Sequence, residues 1–455
     1  MLNKQTLYDF IAENEKSRTK LPRLFSFSQQ ITETDFISIK SKFLNEENFS
    51  FYWSIPAEQY SFVSAGEIYS IKKDDLKDLS GVDSLIRNLP FEIISNIKKS
   101  DNPFFVGGIK FPSGRPNEVW NDFAFLQWSI PQILCTRNGE DYFLIINSFE
   151  NDMEKSISQV DSYLSARKQD VQDFSHLLSV RKSIGLDEWS SQVRTALELI
   201  SQKKIDKVVL SRFNEIKLSS SPDLSFQLEQ LETGFENCTI FAYKSGGSIF
   251  FGATPEKLFR ADNEFIEADA LAGSISRGAS PDEDKILEDE LLHDKKNLAE
   301  HKSVVDFIIT QLTPVTEKIL FDSQPVIKKY SNIQHLYSQI RARLKSGISF
   351  FSLLELLYPT PAVCGYPKTE ALSIINVIEK FDRGLFAGAV GWFNLEGKAE
   401  FSVGIRSALL RKNILLAYAG CGVINGSEPV SEYNEIELKL KPILNLFADE
   451  TVYKS

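Results

Sequence analysis

The chain is expected to fold as an α+β protein, with large, mostly antiparallel β-sheets wrapped by helices. Three features of the sequence lead there. Short apolar or alternating runs recur between stretches of helical periodicity. Several of these runs are joined by brief turn signals, NGE at 138–140, NLEGKA and RKN, which suit hairpins rather than the long crossovers of a parallel sheet. Proline and glycine never gather into a flexible linker, so the 455 residues read as one compact, intertwined unit.

In chain order, residues 1–180 hold strand-like runs NFSFYWSIP, YSFVSAGEIYSI, PFFVGGIKF, AFLQWSIPQILCT and DYFLIINS, with VDSLIRNLPFEIISNIKKS patterned as a helix. NGE closes a hairpin between the last two strands. A polar stretch near 153–186, with little strand character, separates this half from residues 187–455. There DEWSSQVRTALELISQ is a helix, KVVLSRFNEIKL a strand, DLSFQLEQLET a helix, and CTIFAYK and SIFFGA strands. A long charged helix is expected from about 282 to 312, and further helices near 349–357 and 369–380. LFAGAVGWFNL, AEFSVGIRSALLR and NILLAYAGCGVI then read as strands before a final helix from about 431. No fixed-period repeat is present.

Composition narrows the function classes. With 42% hydrophobic and 25% charged residues the chain is an ordinary globular protein, and a net charge of -11 argues against a nucleic-acid partner. The first twenty residues carry charges every few positions and no apolar core of a secretory signal. No run approaches the roughly 18 apolar residues of a membrane span. A cytoplasmic location without membrane contact is expected. Cys135, Cys238, Cys364 and Cys421 are scattered, with no CxxC pair to suggest a disulfide framework or a zinc site.

Candidate functional residues fall in the second half. The final helix, PVSEYNEIELK, places Glu432, Glu435 and Lys439 on one side at roughly 100° per residue, with Glu437 pointing elsewhere. Such a face suits a divalent cation and an anionic substrate, while a solvated helix capped by Ser431 would look the same. Lys207 opens an apolar strand, either as a lysine reaching out from a strand end or as one whose buried amine serves as a base. Thr254, Pro255 and Glu256 have the grammar of a helix start, yet Glu256 also follows directly on a strand end, where pockets often form. Glu300 lies four residues after Lys296, in reach of a surface ion pair; His301 shares a stripe with Val304, Val305 and Ile308 and fits a core edge. His335, in IQHLYSQI, is open to either reading. Gly273, Gly420 and Gly422 permit close backbone approach to a carboxylate but form no nucleotide-binding pattern. LYPTPAVCGYP is a rigid apolar wall that includes Ala362. Arg406 interrupts the apolar strand FSVGIRSALL, and a buried arginine requires an anion.

Taken together and in order, KVVLSR, FGATPEKLF, LAGS, AEHK, QHL, PTPAVCGYP, FDRGLFAGAVGW, IRSALL, YAGCGVI and EYNEIELK resemble the chorismate-utilising enzymes, and within them the isochorismate synthases. The resemblance spans about residues 190–445, and the first 180 residues match only loosely, as the variable part of the fold. It implies an anthranilate synthase component I-like fold and a Mg²⁺-dependent isomerisation of chorismate to isochorismate. It also implies roles. Lys207 would be the base that activates water for attack at ring C2, and Glu256 the acid that protonates the departing C4 hydroxyl. Glu300 and Glu435 would hold Mg²⁺, with Glu432 in support. Arg406, Lys439 and the backbone at Gly273 and Gly420 would bind carboxylate, and His335 would lie beside the enolpyruvyl group.

The same resemblance separates the relatives. Anthranilate synthases carry glutamine where Lys207 stands, and aminodeoxychorismate synthases carry a lysine where Ala272 stands. Salicylate synthases, which go on to eliminate pyruvate, usually present threonine at the positions of Ser274 and Ala362. A salicylate synthase is therefore the nearest alternative, and a non-catalytic chorismate-binding sensor is one of a different class. No glutamine amidotransferase subunit is needed, and the chain is expected to act as a monomer. The isochorismate made by such enzymes feeds menaquinone, siderophore or salicylate synthesis.

Overall fold

Strand Leu126–Asn138 is where the sheet divides. One edge pairs along its length with Tyr60–Lys73, while the other is shared, Phe105–Ile109 taking residues 126–129 and Asp141–Phe149 taking residues 133–138. The chain is described here from a computed structural model, which covers residues 2–14, 21–75, 79–97, 102–114, 118–165, 175–330 and 333–448. From Tyr60–Lys73 one arm runs through Phe49–Ile55, Thr239–Ser245, Ser248–Thr254, Ser407–Arg411 and Ile414–Ile424 to Lys207–Leu218. From Phe105–Ile109 the other arm runs through Ala389–Phe393, Ala399–Val403, Lys257–Ala261 and Phe265–Ser276 to Ile333–Leu344. Every one of these pairings is antiparallel. A parallel pair joins Arg23–Gln30 to Glu92–Ser95 at one end.

The central strands are buried on both faces; most of their positions are apolar, and buried charges on them find partners inside, Glu400 pairing with Arg260 and Lys244 donating to Leu44 O at 3.2 Å. Thr239–Ser245, Ala389–Phe393 and Ala399–Val403 have almost no exposed residue. Aromatic rings fill the space around them: Phe105 stacks on Phe393 at 4.8 Å between ring centres, and Trp128 meets Phe393 and Phe401 edge-on. Helices cover the outer surfaces. Lys295–Leu312 packs on Phe265–Ser276 and Ile333–Leu344, and Pro429–Leu444 packs on Ile414–Ile424.

Two of the chain's passages between the arms run side by side. At residues 255–256 the chain leaves Ser248–Thr254 for Lys257–Ala261, and at 404–406 it returns from Ala399–Val403 to Ser407–Arg411. The crossings are tied together, Val403 N donating to Glu256 O at 3.0 Å and Ala253 N to Arg406 O at 3.2 Å. This is where a cavity opens.

Several expectations need correction. AEFSVGIRSALLR is two strands, because Arg406 takes a left-handed backbone, φ 50°, that no strand continues through. Pro255 and Glu256 start no helix; the hydrogen-bonding partners of the crossing strands claim them first. The charged helix is two, Pro281–His293 and Lys295–Leu312, with Asp294 capping the second through Asn297 N at 2.7 Å. The final helix begins at Pro429, so Ser431 lies in its first turn and Glu428 takes the cap position. The stretch VDSLIRNLPFEIISNIKKS is a helix only over Leu79–Arg87; Pro90 follows, and Glu92–Ser95 is a strand, while residues 98–100 lie outside the described chain. In the polar stretch Met153–Ser165 is helical and Leu177–Lys182 is an edge strand that apolar patterning gave no sign of, its residues being mostly exposed.

Candidate active site

The two crossings supply opposite charges to one cavity. Glu256, held by the first, is buried, its Oε1 accepting from Thr360 Oγ1 at 3.3 Å. Burial pushes its carboxyl up to about 7, against the pull of Thr360, Lys207 and Arg406, so near neutrality it keeps its proton for much of the time. Arg406, on the second crossing, also borders the cavity, and among the described residues its guanidinium has no hydrogen-bond or ion-pair partner. A cation so placed is a ready site for an anion.

A β-bulge shapes the next wall. Gly273 is the extra residue between Ala272 and Ser274, opposite Leu336 and His335, and its φ of 77° together with Asn297 and Leu336 3.1 Å from any added Cβ leaves room for glycine alone. Ser274 is thereby turned so that its N donates to Asn297 Oδ1 at 3.1 Å and its Oγ meets His335 Nδ1 at 2.7 Å. Burial, with the cations Arg406 and Lys439, holds His335 well below the usual histidine range, so the ring is neutral. Among the described residues its buried Nε2 has no partner, and the residue lines the cavity.

The final helix closes the site as the spacing of its charges predicts. Glu432, Glu435 and Lys439 all border the cavity, while Glu437 turns away to Lys182 at 2.8 Å and to Arg212. Lys439 Nζ donates to Gly420 O at 3.0 Å and pairs with Glu435 at 2.5 Å. Glu300 does not pair with Lys296, as the four-residue spacing suggested. It meets Lys207 Nζ at 2.7 Å, and Lys296 instead reaches Glu432 at 3.3 Å. Burial raises the Glu300 carboxyl but Lys207 outweighs it and holds the group below the ordinary range. Ala362 borders the cavity from the proline-rich wall. Of the twelve residues singled out from the sequence, Lys207 alone is absent from the cavity lining; it is buried just behind, at the start of its strand, and its partner Glu300 is the group that shows.

Among the described residues no three carboxylate, histidine or cysteine side chains already converge as a metal-ligand set. Each of Glu300, Glu432 and Glu435 is held instead by a lysine. The donors nevertheless fit Mg²⁺: they are carboxylates only, with no sulfur or imidazole, which suits a hard cation that takes one or two protein oxygens and keeps its other positions for water and substrate.

Sequence reasoning passed over three contributors and paired a fourth wrongly. Thr360 and Asn297 carry no signal of their own, since each acts through a contact made only in the fold, and Lys296, which its spacing sets against Glu300, meets Glu432 instead. Arg383 could have been found by the argument that singled out Arg406, an arginine in an apolar run. It is fully buried, paired with Glu379, and donates to the carbonyls of Val209 at 2.7 Å and Val363 at 2.9 Å. His301, by contrast, is the core-edge residue its stripe predicts, bonded to Ser338 at 2.9 Å.

A buried acid, a lysine–carboxylate pair and an unpaired arginine around one cavity define an enzyme for a small anionic substrate. The sequence relationships make the class specific. The family described as "Chorismate binding enzyme" matches residues 9–448, and the chain belongs to it. It is similar to isochorismate synthase MenF of Bacillus subtilis, 29% identical over 445 residues and 94% of each chain. A salicylate biosynthesis isochorismate synthase of Pseudomonas aeruginosa is 33% identical over 74% of this chain and 73% of that one. The fold matches that of MenF, the menaquinone-specific isochorismate synthase from Escherichia coli, with a TM-score of 0.81 over 98% of this chain and 99% of that one at 22% identity.

Proposed function

We infer that this chain is an isochorismate synthase, an isomerase that converts chorismate to isochorismate. The observation that carries this reading is a protonated acid, Glu256, lining a cavity behind which Lys207 is buried and held by Glu300, in a chain of this family. In its neutral amine form Lys207 takes a proton from water as the oxygen bonds to ring C2. The diene electrons shift around the ring, the C4–oxygen bond breaks, and Glu256 gives its proton to the departing hydroxyl. One water enters and one leaves, so the product is an isomer of the substrate.

Arg406 and Lys439 hold carboxylate, and neutral His335 presents its free Nε2 to the enolpyruvyl side. Glu300 and Glu435, backed by Glu432, are the residues that would hold Mg²⁺, which when bound supplies a Lewis acid at the ring carboxylate. Because water is the nucleophile and all these groups come from one chain, no amidotransferase subunit is required and a monomer suffices.

The test is incubation with chorismate and Mg²⁺ followed by product chromatography. Isochorismate should be the main product, turnover should stop in chelator-treated protein, and Glu300→Gln or Glu435→Gln should lower it strongly by removing a charged ligand. Salicylate as the main product, or full activity without metal, would overturn the reading.

A further inference from the structure

The Lys207–Glu300 pair stands between two openings. One is the cavity described above, which Glu300 and Gly422 border. The other is a groove between the helix Lys295–Leu312 and the ends of three strands; Glu300 borders it as well, and Lys207 borders this opening only. Strand register sets the geometry on one side, where Lys207 sits between Ile424 and Tyr366. On the other side the helix presents Glu300, Ser303 and Thr310 at spacings of three and seven, one stripe of its surface. With Asn425 this gives the groove hydroxyl and amide groups able to hold water.

At Gly422 the partition between the openings is a bare backbone. A Cβ added there would lie 2.6 Å from Lys207 Cε, 3.2 Å from its Nζ and 3.1 Å from Glu300 Oε1. A side chain would fill the place where the lysine nitrogen approaches the substrate cavity.

We propose that the attacking water reaches Lys207 through this groove, and that Gly422 leaves the gap through which the activated water meets the substrate. A substrate ring bound between Arg406 and Glu256 would fill the first cavity, whereas the groove reaches the lysine from outside it. This route rests on Lys207 being the base.

Wild-type turnover of chorismate is measured first; if no isochorismate forms, the functional reading is wrong, whatever the groove does. Ser303→Phe and Ala299→Phe each fill the groove from the helix, and the second serves if the first does not fold. Each should lower kcat by about tenfold or more, given what a positioned base contributes, with KM for chorismate within about twofold of wild type. Ile286→Phe places the same ring at an exposed position of the preceding helix, Pro281–His293, outside both openings, and should leave both constants unchanged. The second readout is acetylation of Lys207 by acetic anhydride in protein saturated with chorismate and Mg²⁺, followed by mass spectrometry. Wild type should be modified through the groove, and the filled variants should be protected. Unchanged kcat in both filled variants, a rise in KM alone, or equal labelling of Lys207 in wild type and filled protein would each overturn the proposal.

Discussion

A carboxyl group that keeps its proton near pH 7 needs a dry place, and Glu256 has one between the two arms of the sheet. Its acid form is lost as pH rises through about 7, so kcat should fall by about tenfold per unit on the alkaline side, and a pH–rate profile flat to pH 9 would contradict this role. The same shift has a stability sign. An unfolded glutamate ionises near 4.3, so the folded protein binds the extra proton between there and about 7, and stability falls as pH rises across that window by on the order of 3 kcal/mol. Glu256→Gln removes this loss. It should cost about 10² to 10⁴ in kcat while melting higher than wild type at pH 8, with the advantage gone near pH 4. Ala362 tests the outcome of the reaction rather than its rate. Isochorismate can lose pyruvate by an internal hydrogen transfer that needs a ring pose and no catalytic group, and the small alanine leaves the pose unconstrained. Ala362→Thr should raise the salicylate share seen by chromatography, since about 1.4 kcal/mol of pose preference is a tenfold change in product ratio.

At the scale of elements, the strand that carries Lys207 is located by a buried clamp. Arg383 holds the carbonyl of Val209 from that strand and that of Val363 from the proline-rich wall, while Glu379 accepts from Ser211 N at 2.7 Å and Ser211 Oγ at 2.8 Å. Both partners are fully or almost fully buried, so removing one leaves a charge with no water and no counter-ion. Arg383→Ala should destabilise by about 3–5 kcal/mol in denaturant unfolding. A loss of under 1 kcal/mol would mean that solvent reaches Glu379. The final helix shows the opposite case, an element whose functional face is plain from spacing: Glu432, Glu435 and Lys439 point inward and Glu437 outward, as 3.6 residues per turn requires.

At the scale of the whole molecule, the boundary near residues 180–187 does not separate two sheets. Thr239–Ser245 pairs with Phe49–Ile55, and Ala389–Phe393 pairs with Phe105–Ile109, so a fragment of residues 187–455 would bare two buried strand edges. Such a fragment should aggregate or lack a cooperative melting transition by circular dichroism; a soluble fragment melting like the full chain would refute this. What the sequence determined by itself was local. Helix Leu186–Ser201 was legible because its apolar residues keep one helical period, and strand Lys207–Leu218 because a short apolar run opens it, and the order of short motifs was enough to reach the family. The tertiary structure decided what distant partners decide. It set Arg406 in a left-handed turn rather than a strand, and Glu256 in a crossing rather than a helix, because each is fixed by hydrogen bonds to the neighbouring crossing. It gave Glu300 to Lys207, 93 residues away, instead of to Lys296 on its own helix. Periodicity reports the face a residue occupies, whereas the partner it meets there depends on which elements the sheet brings together.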